Sequence, residues 1–186
     1  YVCLSSGLSG TYNSACLAAD ELTDEFPDRK IYVIDSLGAS SGYGLLVDAL
    51  ADMRDNGATA EELYTEANNM RLNVHHWFFS TDLTFYIKGG RVSKTSGMVG
   101  TLLGICPLLN MNTEGKLVPR QKVRTKRKVI TEIVKKMEKH ANGGLDYKGK
   151  CFISHSDCAE DAKTVRAMVK ERFPNINGEI KIFNIG

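Results

Sequence analysis

Short apolar runs alternate with longer amphipathic stretches through the first part of the chain, the rhythm of strand, loop and helix in turn. Val2-Cys3-Leu4 reads as a strand leading to a helix over roughly Thr11 to Phe26. Ile31 to Ile34 reads as a second strand, and DSLGASSG (Asp35 to Gly42) carries it into an apolar helix over about Gly44 to Asn56. Thr59 with Glu62 is a capping box, opening a third helix with apolar positions at Leu63, Ala67 and Met70. Alternating β and α elements imply a parallel sheet covered by helices, with ligands expected beyond the C-terminal strand ends.

The pattern changes near Val74. Trp77-Phe78-Phe79 reads as a buried strand, Leu83 to Ile87 as a short helix, and Lys88-Gly89-Gly90-Arg91 as a turn. Ile105 to Met111 predicts a strand broken at Pro107, followed by a turn over Asn112 to Gly115 and a strand near Leu117. A long amphipathic helix is expected from about Thr125 to His140; Cys151–Ser154, Ala159–Phe173 and Ile180–Ile185 then give strand, helix, strand. The expectation is an α/β fold: a parallel-sheet α/β unit over residues 1–73, then a second, smaller α+β unit over residues 74–186, with a ligand cleft between them.

Composition adds that this is an ordinary globular sequence, 42% hydrophobic and 25% charged over 186 residues. No apolar run approaches a membrane span, and no secretory leader pattern opens the chain. The chain starts inside a strand and stops just after an apolar run, so both ends are expected to be cut from a longer protein. The five cysteines are scattered among apolar neighbours without a CxxC pair, which favours reduced thiols in a cytoplasmic protein over a zinc site or disulfides.

Charge is unevenly spread. Residues 1–70 carry three basic and twelve acidic side chains, and the rest twenty-one basic and ten acidic, for a net +2. Residues 116–128 hold seven Lys or Arg and no acid. Aromatics interleaved for base stacking are absent from this run, so it reads as a solvated face or a dock for an acidic partner in preference to a nucleic-acid site.

The densest chemistry lies in SSGLSGTYNSA, Ser5 to Ala15. Two glycines allow a tight turn, and the hydroxyls of Ser5, Ser6, Ser9 and Thr11 are expected to converge with the amides of a helix start. That arrangement suits an oxyanion, although one Ser or Thr would suffice as a plain cap. Ser36, in the second loop, falls at the same sheet edge. Arg91, after two glycines, could turn inward to grip a carboxylate or phosphate, or remain a solvated turn residue. His75, His76 and His155 lack partners at metal spacing, so no metal is expected. His155, at a strand end, is a candidate cleft residue. GxSxG is absent, so the serines read as ligand donors and not as nucleophiles. Three other readings stay open: a flavodoxin-like flavin or phosphate-ligand module, a phosphate-ester enzyme with Asp35 as base, and a nucleic-acid-reading regulator.

SSGLSGTYNSA, then VIDS at Val33–Ser36, then IKGGRVSKTSGMVGTLLGICPLL from Ile87 to Leu109, together resemble the DegV family of bacterial fatty-acid-binding proteins. The resemblance implies a non-catalytic carrier without a cofactor. A long-chain fatty acid lies in an apolar tunnel, and its carboxylate is presented to a fatty acid kinase that makes an acyl phosphate for phospholipid synthesis. It implies that Ser9 binds the carboxylate, with Arg91 and His155 near the ligand; the reading of the two hydroxyl loops adds Ser6, Thr11 and Ser36 as candidate ligand donors. Arg124, with Arg120 and Lys122, would face the kinase, and transient contact with a membrane surface is compatible with that role. The family's Thr-Ser-x-Pro and His-Thr-Gly loops have no counterpart in this chain, as cut ends would explain. Apolar candidates for the tunnel are Leu45, Leu46, Val47 and Leu50, then Met98, Val99, Leu102 and Leu103, with core packing as the plainer role for each.

Overall fold

A computed structural model describes residues 1–93 and 104–185. It divides into two compact units, Tyr1–His75 with Met111–Lys116, and His76–Asn110 with Leu117–Gly186. The first boundary falls two residues past the expected one. The turn after the Pro107 strand, expected in the second unit, belongs to the first.

In the first unit β1 (Val2–Cys3) and β2 (Ile34–Asp35) pair in parallel, with Val2 opposite Ile34 and Cys3 opposite Asp35. Three helices follow the expected order: α1 (Thr11–Glu25), α2 (Ser40–Asp55) and α3 (Ala60–Met70). The core joins Ile34 to Leu46 and Leu50 of α2 and Ala67 of α3, with Val2, Met53, Leu63 and Met70 packed around them. Leu46 and Leu50 thus pack in this core, the plainer of the two roles the sequence left open. Helix α2 begins four residues before the expected Gly44. The Tyr43 hydroxyl donates to the Val2 carbonyl at 2.9 Å, which ties the glycine-flanked first turn to β1. The capping box at Thr59 and Glu62 is present in full.

The second unit contains β3 (Trp77–Phe79), the short α4 (Thr84–Lys88), β4 (Ile105–Met111) and β5 (Leu117–Arg124), with sheet order β3-β4-β5. β3 and β4 are antiparallel. β4 runs unbroken through Pro107, because β3 pairs only with Leu108, Leu109 and Asn110, so the missing proline N–H falls just past that ladder. Then come α5 (Lys126–His140), a 3-10 turn at Gly144–Asp146, β6 (Phe152–His155), α6 (Ala159–Arg172) and β7 (Lys181–Asn184). β6 and β7 pair in parallel. Helix α5 serves two cores: Val129 packs with Cys106, Leu108 and Val123, while Val134 packs with Val169, Phe173 and Ile180. No helix among the described residues is long and apolar enough to cross a membrane.

Candidate functional site

Parallel pairing of β1 and β2 brings the loops that follow them to one edge, and there the two hydroxyl-rich segments meet. The Ser5 N–H donates to the Gly38 carbonyl at 3.0 Å. Asp35, nearly buried, uses a single carboxylate oxygen to accept the N–H of Ser6 at 3.1 Å and that of Leu37 at 3.0 Å. One atom thus fastens both loops. Arg71, from the end of α3, donates from its Nη1 to the Asp35 carbonyl at 2.9 Å, and its buried Nε has no partner among the described residues.

The four hydroxyls of the first loop do not converge. Ser5 is fully buried, and its Oγ donates to the Gly115 carbonyl at 2.8 Å while accepting the Gly7 N–H at 3.1 Å. It holds the loop to the turn at Asn112–Gly115 and offers nothing outward. Ser6 is exposed. Ser9 and Thr11 form a pair, their oxygens 2.7 Å apart, and the Thr11 N–H donates to Ser9 Oγ at 3.2 Å. Two hydroxyls own two hydrogens, and the pair consumes one. The other is left for an outside acceptor, whichever hydroxyl donates within the pair.

This pair sits at the start of α1. Gly10 caps the helix without a side-chain hydrogen bond, and the first turn holds no acidic residue, so its positive end is not neutralised locally. The backbone of Leu8 and Ser9 is held by two N–H bonds to the Ser5 carbonyl, at 3.0 and 3.1 Å. In the second loop, Ser36 is buried; its Oγ accepts the Gly38 N–H at 3.1 Å and donates back to the Gly38 carbonyl at 3.3 Å. Its hydroxyl shapes the loop from within, where an outward donor was expected. Leu37 and Ser40 both have positive φ, +48° and +50°, so the loop is held in a conformation that side chains resist.

Close approach requires glycine at two positions. A Cβ on Gly7 would lie 2.5 Å from the Glu114 carbonyl oxygen, and one on Gly115 would lie 2.0 Å from Ser5 Oγ. Gly115 also has φ +68°.

The remaining candidates belong to the second unit. Arg91 is exposed, and its Nη1 donates to the Gly89 carbonyl of its own turn, so of the two roles the sequence left open it takes that of a solvated turn residue. Its N–H and that of Val92 both bond the Tyr86 carbonyl, and Val92 is buried with Leu83 and Leu109, which anchors the turn. Residues 94–103 of the motif, with Met98, Val99, Leu102 and Leu103, lie outside the described residues. His155 ends β6, and its Nδ1 accepts the Cys158 N–H at 3.4 Å, which leaves Nε2 as the ring's outward nitrogen. Arg120, Lys122 and Arg124 alternate along β5 and are all exposed, so they share one face. Arg120 also donates from Nε to Asn110 Oδ1 at 2.7 Å.

Sequence reasoning missed the bracing roles of Ser5, Asp35 and Arg71. Position carried part of the signal, since Ser5 and Asp35 lie at or just past strand ends; Arg71 carried none. Burial raises the thiol pKa of Cys3 and Cys106 and pushes Cys151 up to about 11, so these thiols are poor nucleophiles. Among the described residues no three His, Cys, Asp or Glu side chains group as a metal site. A surface hollow of about 820 Å³ beside α3 is lined by Glu61, Glu62 and Glu66, a poor lining for an anion, and includes no residue of the two loops.

The family model described as "Uncharacterised protein, DegV family COG1307" matches residues 1–186. A DegV domain-containing protein of Clostridium perfringens is 36% identical over 174 residues, covering 94% of this chain and 59% of that one. A Thermotoga maritima protein named fatty acid-binding protein is 38% identical over 143 residues, 76% of this chain and 48% of its own length. Among solved structures, the fatty acid kinase (Fak) B3 protein of Streptococcus pneumoniae, loaded with linoleic acid, superposes with a TM-score of 0.87 at 29% identity, over 98% of this chain and 63% of that one. The chain spans roughly half to three fifths of the length of these two curated relatives. Matched from its first residue to its last, and sharing the fold of a solved relative almost throughout, the chain belongs to the DegV family.

Proposed function

We propose that the protein containing this chain is a non-catalytic carrier of a long-chain fatty acid, and that Ser9 with Thr11 receives the carboxylate. The observation that carries this reading is the hydroxyl pair, which releases one O–H toward an outside acceptor at an un-neutralised helix start. A buried carboxylate must be hydrogen-bonded, and this loop supplies donors without a competing acid in the helix's first turn. The chain energetics agree: a dozen methylenes contribute roughly 10 kcal/mol of gross attraction, ample after ordering costs. The relatives named as binding or loaded with fatty acids support the same ligand. Arg91 and His155 remain proposed ligand neighbours.

The proposed partner is a fatty acid kinase, which would phosphorylate the presented carboxylate. The likeness to a fatty acid kinase B3 protein supports it. So does the charge pattern. Arg120, Lys122 and Arg124 line one face of β5, and Arg127 and Lys128 follow at the start of α5, where the helix dipole disfavours cations; their neighbour Lys126 is already paired with Asp161 at 2.9 Å. An acidic partner surface would offset that cost.

Native mass spectrometry of the full-length protein as purified, followed by organic extraction, tests the ligand. A co-purifying fatty acid, or stoichiometric uptake of added palmitate, is expected. A bound flavin or nucleotide, or failure to take up palmitate, would overturn the reading.

A further inference from the structure

We infer that Asp35 is a positioning residue for head-group recognition, joined by Arg71, and that neither touches the ligand. The inference rests on the fatty-acid reading above. A hydrogen-bond acceptor offers nothing directly to an anionic head group, so a nearly buried carboxylate at this edge must act otherwise. Its geometry says how. Asp35 Oδ1 holds the Ser6 N–H at 3.1 Å and the Leu37 N–H at 3.0 Å. Ser6 follows Ser5, whose carbonyl accepts the N–H groups of Leu8 and Ser9. Ser9 in turn carries the hydroxyl pair. Two steps of hydrogen bonding, joined through the Ser5–Ser6 peptide, therefore run from Asp35 to the backbone of Ser9, which carries the outward donor.

From the other side, Arg71 grips the Asp35 carbonyl at 2.9 Å, although its own Nε lies buried without a partner among the described residues. The loop it steadies includes two left-handed non-glycine residues, Leu37 and Ser40. Unsatisfied burial and backbone strain both oppose folding, and they gather on the braces of this one loop. Holding donors rigidly before the ligand arrives lowers the ordering cost of binding, and that is the benefit this brace gives.

The test uses the full-length protein and two ligands of equal chain, palmitate and hexadecanol, so that the head group is read apart from the tail. Asp35→Ala removes the acceptor, and palmitate affinity is expected to fall at least about tenfold while hexadecanol affinity stays within about threefold. Asp35→Asn keeps an Oδ1 acceptor and is expected to restore most of the palmitate preference. If Asp35→Ala does not fold, Arg71→Met carries the same test, since it frees the Asp35 carbonyl and leaves the carboxylate in place. An unchanged palmitate-to-hexadecanol ratio in the folded variants, or equal loss of both ligands, overturns the inference alone. Failure of the unmodified protein to bind palmitate removes the fatty-acid reading and the inference together.

Discussion

The buried hydroxyl of Ser5 donates to the carbonyl of Gly115 at 2.8 Å, a bond between residues 110 positions apart in the chain. It fixes the floor of the hydroxyl loop, and it leaves Gly115 no room for a side chain. Gly115→Ala combines a left-handed backbone with a Cβ 2.0 Å from Ser5 Oγ. The expected cost is about 3 kcal/mol, read as a lower urea midpoint. Ser5→Ala makes no clash but strands a carbonyl and an N–H, for about 1–3 kcal/mol. If the alanine at position 115 proves harmless, the packing of this turn against Ser5 is wrong.

Ser9→Ala removes the hydroxyl that both pairs with Thr11 and accepts its N–H. Palmitate affinity in the full-length protein should drop about tenfold, with little change in thermal midpoint because the pair faces solvent. Thr11→Val spares Ser9, whose proton then points outward in every case, and should weaken binding less. Isothermal titration separates the two. Wild-type affinity in Ser9→Ala would remove this serine from the site.

The capping box gives a control away from the loops. Thr59 Oγ1 accepts the Glu62 N–H, and Glu62 accepts the Thr59 N–H at 2.7 Å, which lowers the Glu62 pKa. Thr59→Ala should cost about 1 kcal/mol by chemical denaturation and leave palmitate affinity untouched. Alanine keeps the backbone N–H but loses the Thr59 Oγ1 hydroxyl, which donates to Glu62 Oε2 at 2.8 Å and also lowers the Glu62 pKa. That bond's contribution is full above the ordinary glutamate range and is lost as pH falls through the lowered folded pKa. The difference between Thr59→Ala and the unmodified protein should therefore shrink in acid.

Cys151 sets an alkaline limit. Burial moves its thiol from 9.0 to about 11. The folded state keeps the proton where the unfolded chain loses it, so this contribution is complete below pH 9 and disappears as pH rises through about 11. A shift of that size corresponds to about 3 kcal/mol. Denaturation between pH 8 and 11 should show a steeper loss of stability in the unmodified protein than in Cys151→Ala. Parallel slopes would mean that this thiol ionises freely.

Local signals carried most of the elements. Thr59 and Glu62 announced α3, and the apolar spacing of Val129, Ile130 and Val134 announced α5, because caps and periodicity act within a few residues. What failed depended on partners distant in sequence. Pro107 looked like a break, since nothing local tells that β3 stops pairing at Leu108. The start of α2 was expected at about Gly44, since nothing local tells that Tyr43 finds the Val2 carbonyl. In the first loop, Ser9 and Thr11 were expected at a helix start, and the structure places their pair there. The fates of Ser5 and Ser36 were not legible, because a hydroxyl's direction is set by the carbonyl it meets, and for Ser5 that carbonyl lies beyond residue 110.

Assigning Met111–Lys116 to the first unit has a consequence for the order of synthesis. A ribosome emits about 5–20 residues per second, so Gly115 follows Ser5 out by several seconds. During that interval α1, α2 and α3 can form, yet Ser5 and Gly7 wait for the carbonyl and backbone that complete their surroundings. Closing so long a loop is entropically mild, since each doubling of length costs only about 0.6 kcal/mol, but the wait is set by translation. The edge around Ser5 is thus among the last parts of the first unit to mature on the nascent chain, and under the proposed function no fatty acid would be loaded before the second unit has begun to emerge.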